Sequence, residues 1–437
     1  MTPPRKALFE YGILAFALSF AGLPLYIHAP DFYSRDLGVD LALLGSVLLG
    51  LRLIDAFQDP FIGYVSDRYH QYRFGIILIG MTMLSVGMGV IFYGPQFNIP
   101  ALVWFAIGML LATTGFSIAT INLNMLGAFW SDERNVRTII SGWRESFALI
   151  GLLVASVLPA SLQFYYSPTN SFILMFWIFF TIAVFCFLFF SRFYFSYALD
   201  DKPINNKSVK FSLAPIFFGQ DKRFFLICFI SQVAASLPGV LVLFFIRDHL
   251  GEDHLSGLFL FLYFISGAVF MRFWIKCAEK FNKEMAWMIS MCLSIITFIW
   301  AFNIEPGDVI AYALICCFSG IALGADLALP PSIMADRITV QKAQAEATQY
   351  YALLASIPKI AVAFSSGVSF LILDYVGFVP GGQNTTTAIL LLLILYALVP
   401  CLLKLIAIVF LWRSQKVEGA YYENIRKNNS RGVFNVS

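Results

Sequence analysis

Apolar runs of about twenty residues or more recur along the whole chain, separated by short polar breaks. At 1.5 Å per residue such runs match the roughly 30 Å of bilayer hydrocarbon. A chain crossing that layer must satisfy its own backbone hydrogen bonds, which selects helices. The pattern predicts twelve spans, at 8–32, 40–65, 74–94, 98–126, 139–161, 170–191, 222–246, 255–276, 284–303, 307–334, 346–373 and 386–412. The first run is too long for a signal peptide and lacks a convincing cleavage site, so it reads as a retained helix.

The breaks alternate in charge. Those at 28–40, 94–100, 163–171, 303–308 and 377–387 hold only Arg35 between them, and Arg247 is alone in its connection. The others are basic: Arg5-Lys6, Arg68 with Arg73, Arg134 with Arg137, Lys202 to Arg223, Lys276 to Lys283, Arg337 with Lys342, and Arg413 to Arg431. The positive-inside rule then puts both termini in the cytoplasm, as an even number of spans requires. The longest break divides the chain into an N-terminal six-helix bundle (1–192), a cytoplasmic linker (193–221), a C-terminal six-helix bundle (222–413) and a cytoplasmic tail (414–437). Within the linker, 200–207 reads as flexible and Phe211 to Phe218 as a helix on the membrane surface; the tail reads as polar and mobile. Two bundles with a site between them at mid-depth is a transporter layout. No strong sequence repeat relates the halves, so that symmetry rests on hydropathy.

Composition agrees. Charged residues make up 13% of the 437 residues, against about 25% in soluble domains. The seven cysteines lie in or beside apolar segments and show no metal spacing; Cys316-Cys317 reads as small apolar packing. No nucleophile–base pair emerges, so an enzyme is not expected, and nucleic-acid binding has no support. A channel would need repeated pore-lining elements or subunit symmetry, and neither is visible. The lipid bilayer is the expected partner, in a plasma membrane, and the short loops suggest a bacterial inner membrane.

Charge inside the spans carries the candidate chemistry. Span 2 holds Arg52, Asp55 and Asp59 on one helical face. A charge near the bilayer centre costs about 2.5–3.5 kcal/mol on insertion scales, so three require a polar interior, partners or an ion. Two carboxylates four residues apart can share a proton or offer oxygens to one hard cation; a salt bridge with Arg52 that only fixes packing is the plainer reading. Pro60 cannot donate to the Ala56 carbonyl, which is left for a ligand or water. After span 2, Gly63 lets helices approach closely, and Asp67 and Arg68 can bridge helix ends. Span 5 carries Arg144 beside Glu145. Arg144 cannot lose its charge, and Asp55, Asp59 or Glu145 are candidate partners; neighbouring positions point about 100° apart, so the two are not expected simply to neutralise each other. Asn122 and Asn124 in span 4 suit a hydroxylated solute or a neighbouring helix equally. Asp326 precedes Pro330-Pro331 in span 10, and Lys359 follows Pro358 in span 11, where Tyr351 also lies. Glu10 and Asp336 read as interfacial, His28 as a solvated histidine that could sense pH, and Lys404 shows no clear partner.

Two of these stretches resemble a known family. Gly63-Tyr64-Val65-Ser66-Asp67-Arg68 through Arg73 resembles the loop signature between spans 2 and 3 of the major facilitator superfamily. The wider pattern Arg52-x-x-Asp55-Ala56-x-x-Asp59-Pro60-x-x-Gly63 is similar to the glycoside–pentoside–hexuronide:cation symporters, typified by the melibiose permease. The resemblance implies the major facilitator fold and, at Asp55 and Asp59, a site for coupling sodium, lithium or a proton. It further implies a cavity arginine at Arg144 and a lysine near the cation site at Lys359. No other cofactor is implied.

The sugar side departs from the pattern. The family's helix-1 acid would fall near Leu18-Ser19, and its helix-4 acid near Ala119, though a small gap brings Asn122 into line; its helix-10 tryptophan falls near Leu327. The expectation is a cation-coupled symporter moving a small polar solute, a sugar or glycoside, by alternating access. The same fold carrying a lysolipid or other amphipathic solute, and a membrane receptor that transports nothing, are the alternatives.

Overall fold

The computed structural model describes residues 3–25, 29–35, 37–39, 41–96, 98–131, 133–163, 165–197, 221–341, 343 and 346–432. Among these residues there is no strand. Twelve long helices follow one another: α1 (Arg5–Leu23), α2 (Leu41–Arg68), α3 (Arg73–Tyr93), α4 (Ala101–Phe129), α5 (Arg134–Gln163), α6 (Pro168–Ser196), α7 (Lys222–Phe244), α8 (Ser256–Phe281), α9 (Lys283–Phe298), α10 (Val309–Val340), α11 (Ala347–Tyr375) and α12, which begins at Thr386–Leu393. By length and composition, ten qualify as membrane spans; α1 and α2 pack among them. The twelve helices form two six-helix bundles, the major facilitator fold.

The helices are modulated where the sequence demands it. α12 passes through a π-helical turn, Ile394–Leu398, before continuing as Val399–Gly432. Pro400 follows that turn; its ring cannot donate to the carbonyl four residues back, and a widened turn absorbs the clash. A second π-helical segment, Phe245–Leu250, ends α7 at Gly251, which takes φ +80°, a left-handed conformation natural to glycine. The tail, expected to be polar and mobile, is helical as far as Gly432. The expected linker flexibility and surface helix, and His28, fall on residues outside those described.

Inside the N-terminal bundle, α3 and α4 pack closely enough that a Cβ on Gly115 would stand 2.4 Å from the carbonyl oxygen of Gly80. Helices in lipid gain little from hiding apolar surface, so such backbone approach supplies the attraction. Each bundle has its own apolar core. A further cluster joins Ile62, Ile121 and Met125 of the N-terminal half to Ile333, Tyr350 and Tyr351 of the C-terminal half. The widest contacts between the bundles are α2 against α11 and α5 against α8, with α5 also on α10.

Candidate functional site

The α2–α11 seam brings the two halves' charges together. Lys359 on α11 directs its Nζ between the two acids of α2, 2.9 Å from Asp55 Oδ2 and 2.8 Å from Asp59 Oδ2. It also donates to Ser117 Oγ on α4 at 2.7 Å. Ser117 in turn donates to Asp55 Oδ1 (3.0 Å), which accepts from Gln58 Nε2 as well (2.8 Å), and Gln58 is held by Thr114 (3.0 Å). Asp55 and Asp59 are buried, at 3% and 0% exposure. Asp59 accepts from Lys359 Nζ at 2.8 Å. The trio Asp55, Asp59 and Lys359, all ionised, carries one excess negative charge. Lys359 also reaches the Asp55 carbonyl, at 3.4 Å, rather than the Ala56 carbonyl expected to be freed by Pro60.

Toward the end that carries the basic connections, the seam closes. A Cβ on Gly63 would lie 2.6 Å from Ala352 Cβ, so only glycine lets α2 meet α11 here. One turn on, Asp67 accepts from the backbone N–H groups of Thr348 (3.0 Å) and Gln349 (2.9 Å). These are orphan donors in the first turn of α11, and the carboxylate caps them from the other bundle. Arg73 stands 4.0 Å from Asp67 and donates to Thr348 Oγ1 and to Asn122 Oδ1. On the opposite flank Asp336 of α10 bridges Arg137 of α5 (3.2 Å) and Lys283 of α9 (2.7 Å). Ser141 donates to the Ala328 carbonyl beside the proline pair of α10.

Between these layers lies a chamber with room for about one water, roughly 10 Å³, lined by Asn124, Ser141, Arg144, Ser332 and Tyr351 among others. Arg144 Nε donates to Glu145 Oε1 at 3.0 Å. The expectation that these neighbours would not neutralise each other is corrected: the flexible arginine arm swings round the helix to its own neighbour. Tyr351 donates to the Pro331 carbonyl at 2.7 Å.

The remaining candidates take other roles than expected or lie elsewhere. Asn122 is fully buried and donates to Ser66 and to the Ile118 carbonyl, which favours its neighbouring-helix role. Arg68 is exposed and donates to Tyr64 of its own helix instead of bridging, leaving Asp67 to cross the seam. Asp326 pairs with Lys404 and accepts from Trp287, all within the C-terminal bundle. Lys404 therefore has a partner, contrary to expectation, and is buried. Asp336 is a bridge between bundles rather than an interfacial group. Arg52 lies half-buried on α2 and is engaged. Ser117, Arg73, Arg137, Lys283 and Thr348 escaped sequence reasoning. For Ser117 a signal existed: Thr113, Ser117 and Thr120 place hydroxyls a turn apart on apolar α4.

Buried charge shared between two helical bundles is what a major facilitator transporter would place at its seam. The sequence matches the family described as MFS/sugar transport protein over residues 8–416. The chain belongs to that family, in keeping with its resemblance to the glycoside–pentoside–hexuronide symporters. Two Bacillus subtilis (strain 168) relatives are each described as an uncharacterized symporter. YjmB is 22% identical over 93% of this chain and 92% of its own. YnaJ is 23% identical over 98% and 95% respectively. Among solved structures, a bacterial homologue of the iron transporter ferroportin in an outward-facing state with soaked iron shares the fold. It matches with a TM-score of 0.72 at 14% identity, over 93% of this chain and 99% of that one. The same homologue's outward-facing structure aligns with a TM-score of 0.68 at 15% identity.

Proposed function

We propose that this protein is a symporter that couples a monovalent cation, Na+, Li+ or H+, to the movement of a small polar solute, a sugar or glycoside. The observation that carries it is Lys359 Nζ held between Asp55 and Asp59 across the seam. An ammonium tethered on one bundle occupies the place where a free cation would neutralise acids on the other. Carboxylate and hydroxyl oxygens from Asp55, Asp59 and Ser117 are hard ligands of the kind an alkali ion takes, and a proton competes for the same oxygens. A cation that displaces Lys359 removes a bond between the bundles. The ion thereby gains differential affinity for one of two states, which coupling requires.

Read by the positive-inside rule, the basic end faces the cytoplasm with both termini, in a bacterial inner membrane. Closure there at Gly63, Asp67 and Asp336 corresponds to a state sealed from the cytoplasm. Arg144, Glu145, Asn124 and Tyr351 are the polar groups offered to a hydroxylated solute on the inner side of the bundles.

Uptake into membrane vesicles tests the proposal. Solute accumulation should rise with an imposed Na+ or H+ gradient and collapse to the ungated level in Asp59→Cys. Gradient-driven uptake that persists in Asp55→Asn/Asp59→Asn overturns the coupling site.

A further inference from the structure

On the side of α5 away from Arg144, a groove of about 330 Å³ runs between α5 and α8, lined by Trp143, Ser146, Phe147, Val269 and Arg272 among others. It opens outward. Ile150, Val269 and Phe273 are 43%, 65% and 51% exposed, whereas Arg144 and Trp274, on the opposite faces of the same two helices, are buried. In a membrane-spanning bundle that outward surface meets acyl chains.

Arg272 is exposed on this surface, and among the described residues no carboxylate or other acceptor holds its guanidinium. Lys276, one turn on, is exposed on the same face and equally unpaired among those residues. α8 has 26 residues, roughly 39 Å, longer than the hydrocarbon layer of about 30 Å. Arg272 precedes its last residue, Phe281, by about 13 Å of rise, which sets its Cα inside the apolar layer on the basic side. Helical side chains lean toward the N-terminus of their helix, here away from the basic surface, so the lean opposes snorkelling. A permanent charge at that depth needs an anion brought to it. The Trp143 indole N–H, which has no acceptor among the described residues, adds a donor on the facing wall.

We propose that the α5–α8 groove binds one acidic phospholipid from the leaflet at the basic end. Its anionic headgroup is held by Arg272 and Lys276, and its upper chain segments lie against Phe147, Ile150 and Val269. The two walls belong to different bundles, so the lipid spans the seam from outside. This site is independent of which cation or solute is carried.

Detergent-purified full-length protein, titrated with phosphatidylglycerol or phosphatidylcholine of identical chains and read by native mass spectrometry, tests it. Wild type should retain phosphatidylglycerol about tenfold more tightly, as a charge-assisted contact gives. Arg272→Gln should lose that preference and Arg272→Lys keep it. Val269→Trp, which fills the groove and leaves the charges in place, should also lower retention of phosphatidylglycerol. An undiminished preference in Arg272→Gln overturns the proposal; should that variant fail to fold, undiminished retention in Val269→Trp does so. Displacement of the lipid by inorganic phosphate at equal concentration would reduce the site to a simple anion contact and overturn the lipid assignment.

Discussion

Lys359 is the one cation set between Asp55 and Asp59 among the described residues. Removing one partner of a buried ion pair costs about 3–5 kcal/mol, because the remaining charge stays without compensation. Lys359→Met should therefore lower the Tm of the purified protein markedly. The loss should be recovered in part by added Na+, which binds the folded state and stabilises it by mass action. If Na+ raises the Tm of wild type and Lys359→Met equally, the ammonium does not share the ion's place. The Asp326–Lys404 pair makes a contrast, since it lies within one bundle. Lys404→Met should destabilise by a similar amount, while Asp326→Asn/Lys404→Met should regain most of the loss and retain gradient-driven uptake. Uptake abolished in a well-folded double variant would move this pair into the coupling machinery.

At the scale of elements, the α2–α11 contact depends on the absence of a side chain at Gly63. Gly63→Val would push atoms into Ala352 Cβ, and into the Thr348 carbonyl at 2.9 Å. The helices must then separate at the basic end. The amides of Thr348 and Gln349, now protected by Asp67, should exchange with deuterium faster by tenfold or more, about the effect of 1.4 kcal/mol. Unchanged exchange would show that α2 and α11 can part without disturbing the cap. Much of this seam was legible in the chain. Periodicity and length placed the spans, and three charges in an apolar run marked α2 as its polar wall. Gly63 and Asp67 were visible because a glycine and an acid at a helix end have few other uses. Glu145 stood among the candidate partners of Arg144; what stayed hidden were pairings between helices set by packing, Lys404 finding Asp326 and Asp336 joining Arg137 to Lys283. No spacing within one helix encodes those.

At the scale of the molecule, the bundles are locked at the basic end by contacts on both flanks, Asp67 with α11 on one side and Asp336 with Arg137 on the other. Asp336→Asn leaves Arg137 and Lys283 without their shared carboxylate and should shift the population toward a state open at that end. A cysteine introduced at Ser332, which bonds Thr138 across the same seam at 3.1 Å, should react several-fold faster with a water-soluble maleimide in the Asp336→Asn background. Equal labelling rates would mean that this flank contributes nothing to closure.

The Asp67 cap has one more consequence. A helix end ordinarily keeps its cap on its own chain segment; α11 takes its cap from another domain-sized body. When the two bodies part, the first turn of α11 is left with bare amide groups, and its leading residues are the ones expected to fray. Each stroke of the machine would then melt and refreeze a single turn, and the temperature dependence of turnover should carry the enthalpy of that small transition.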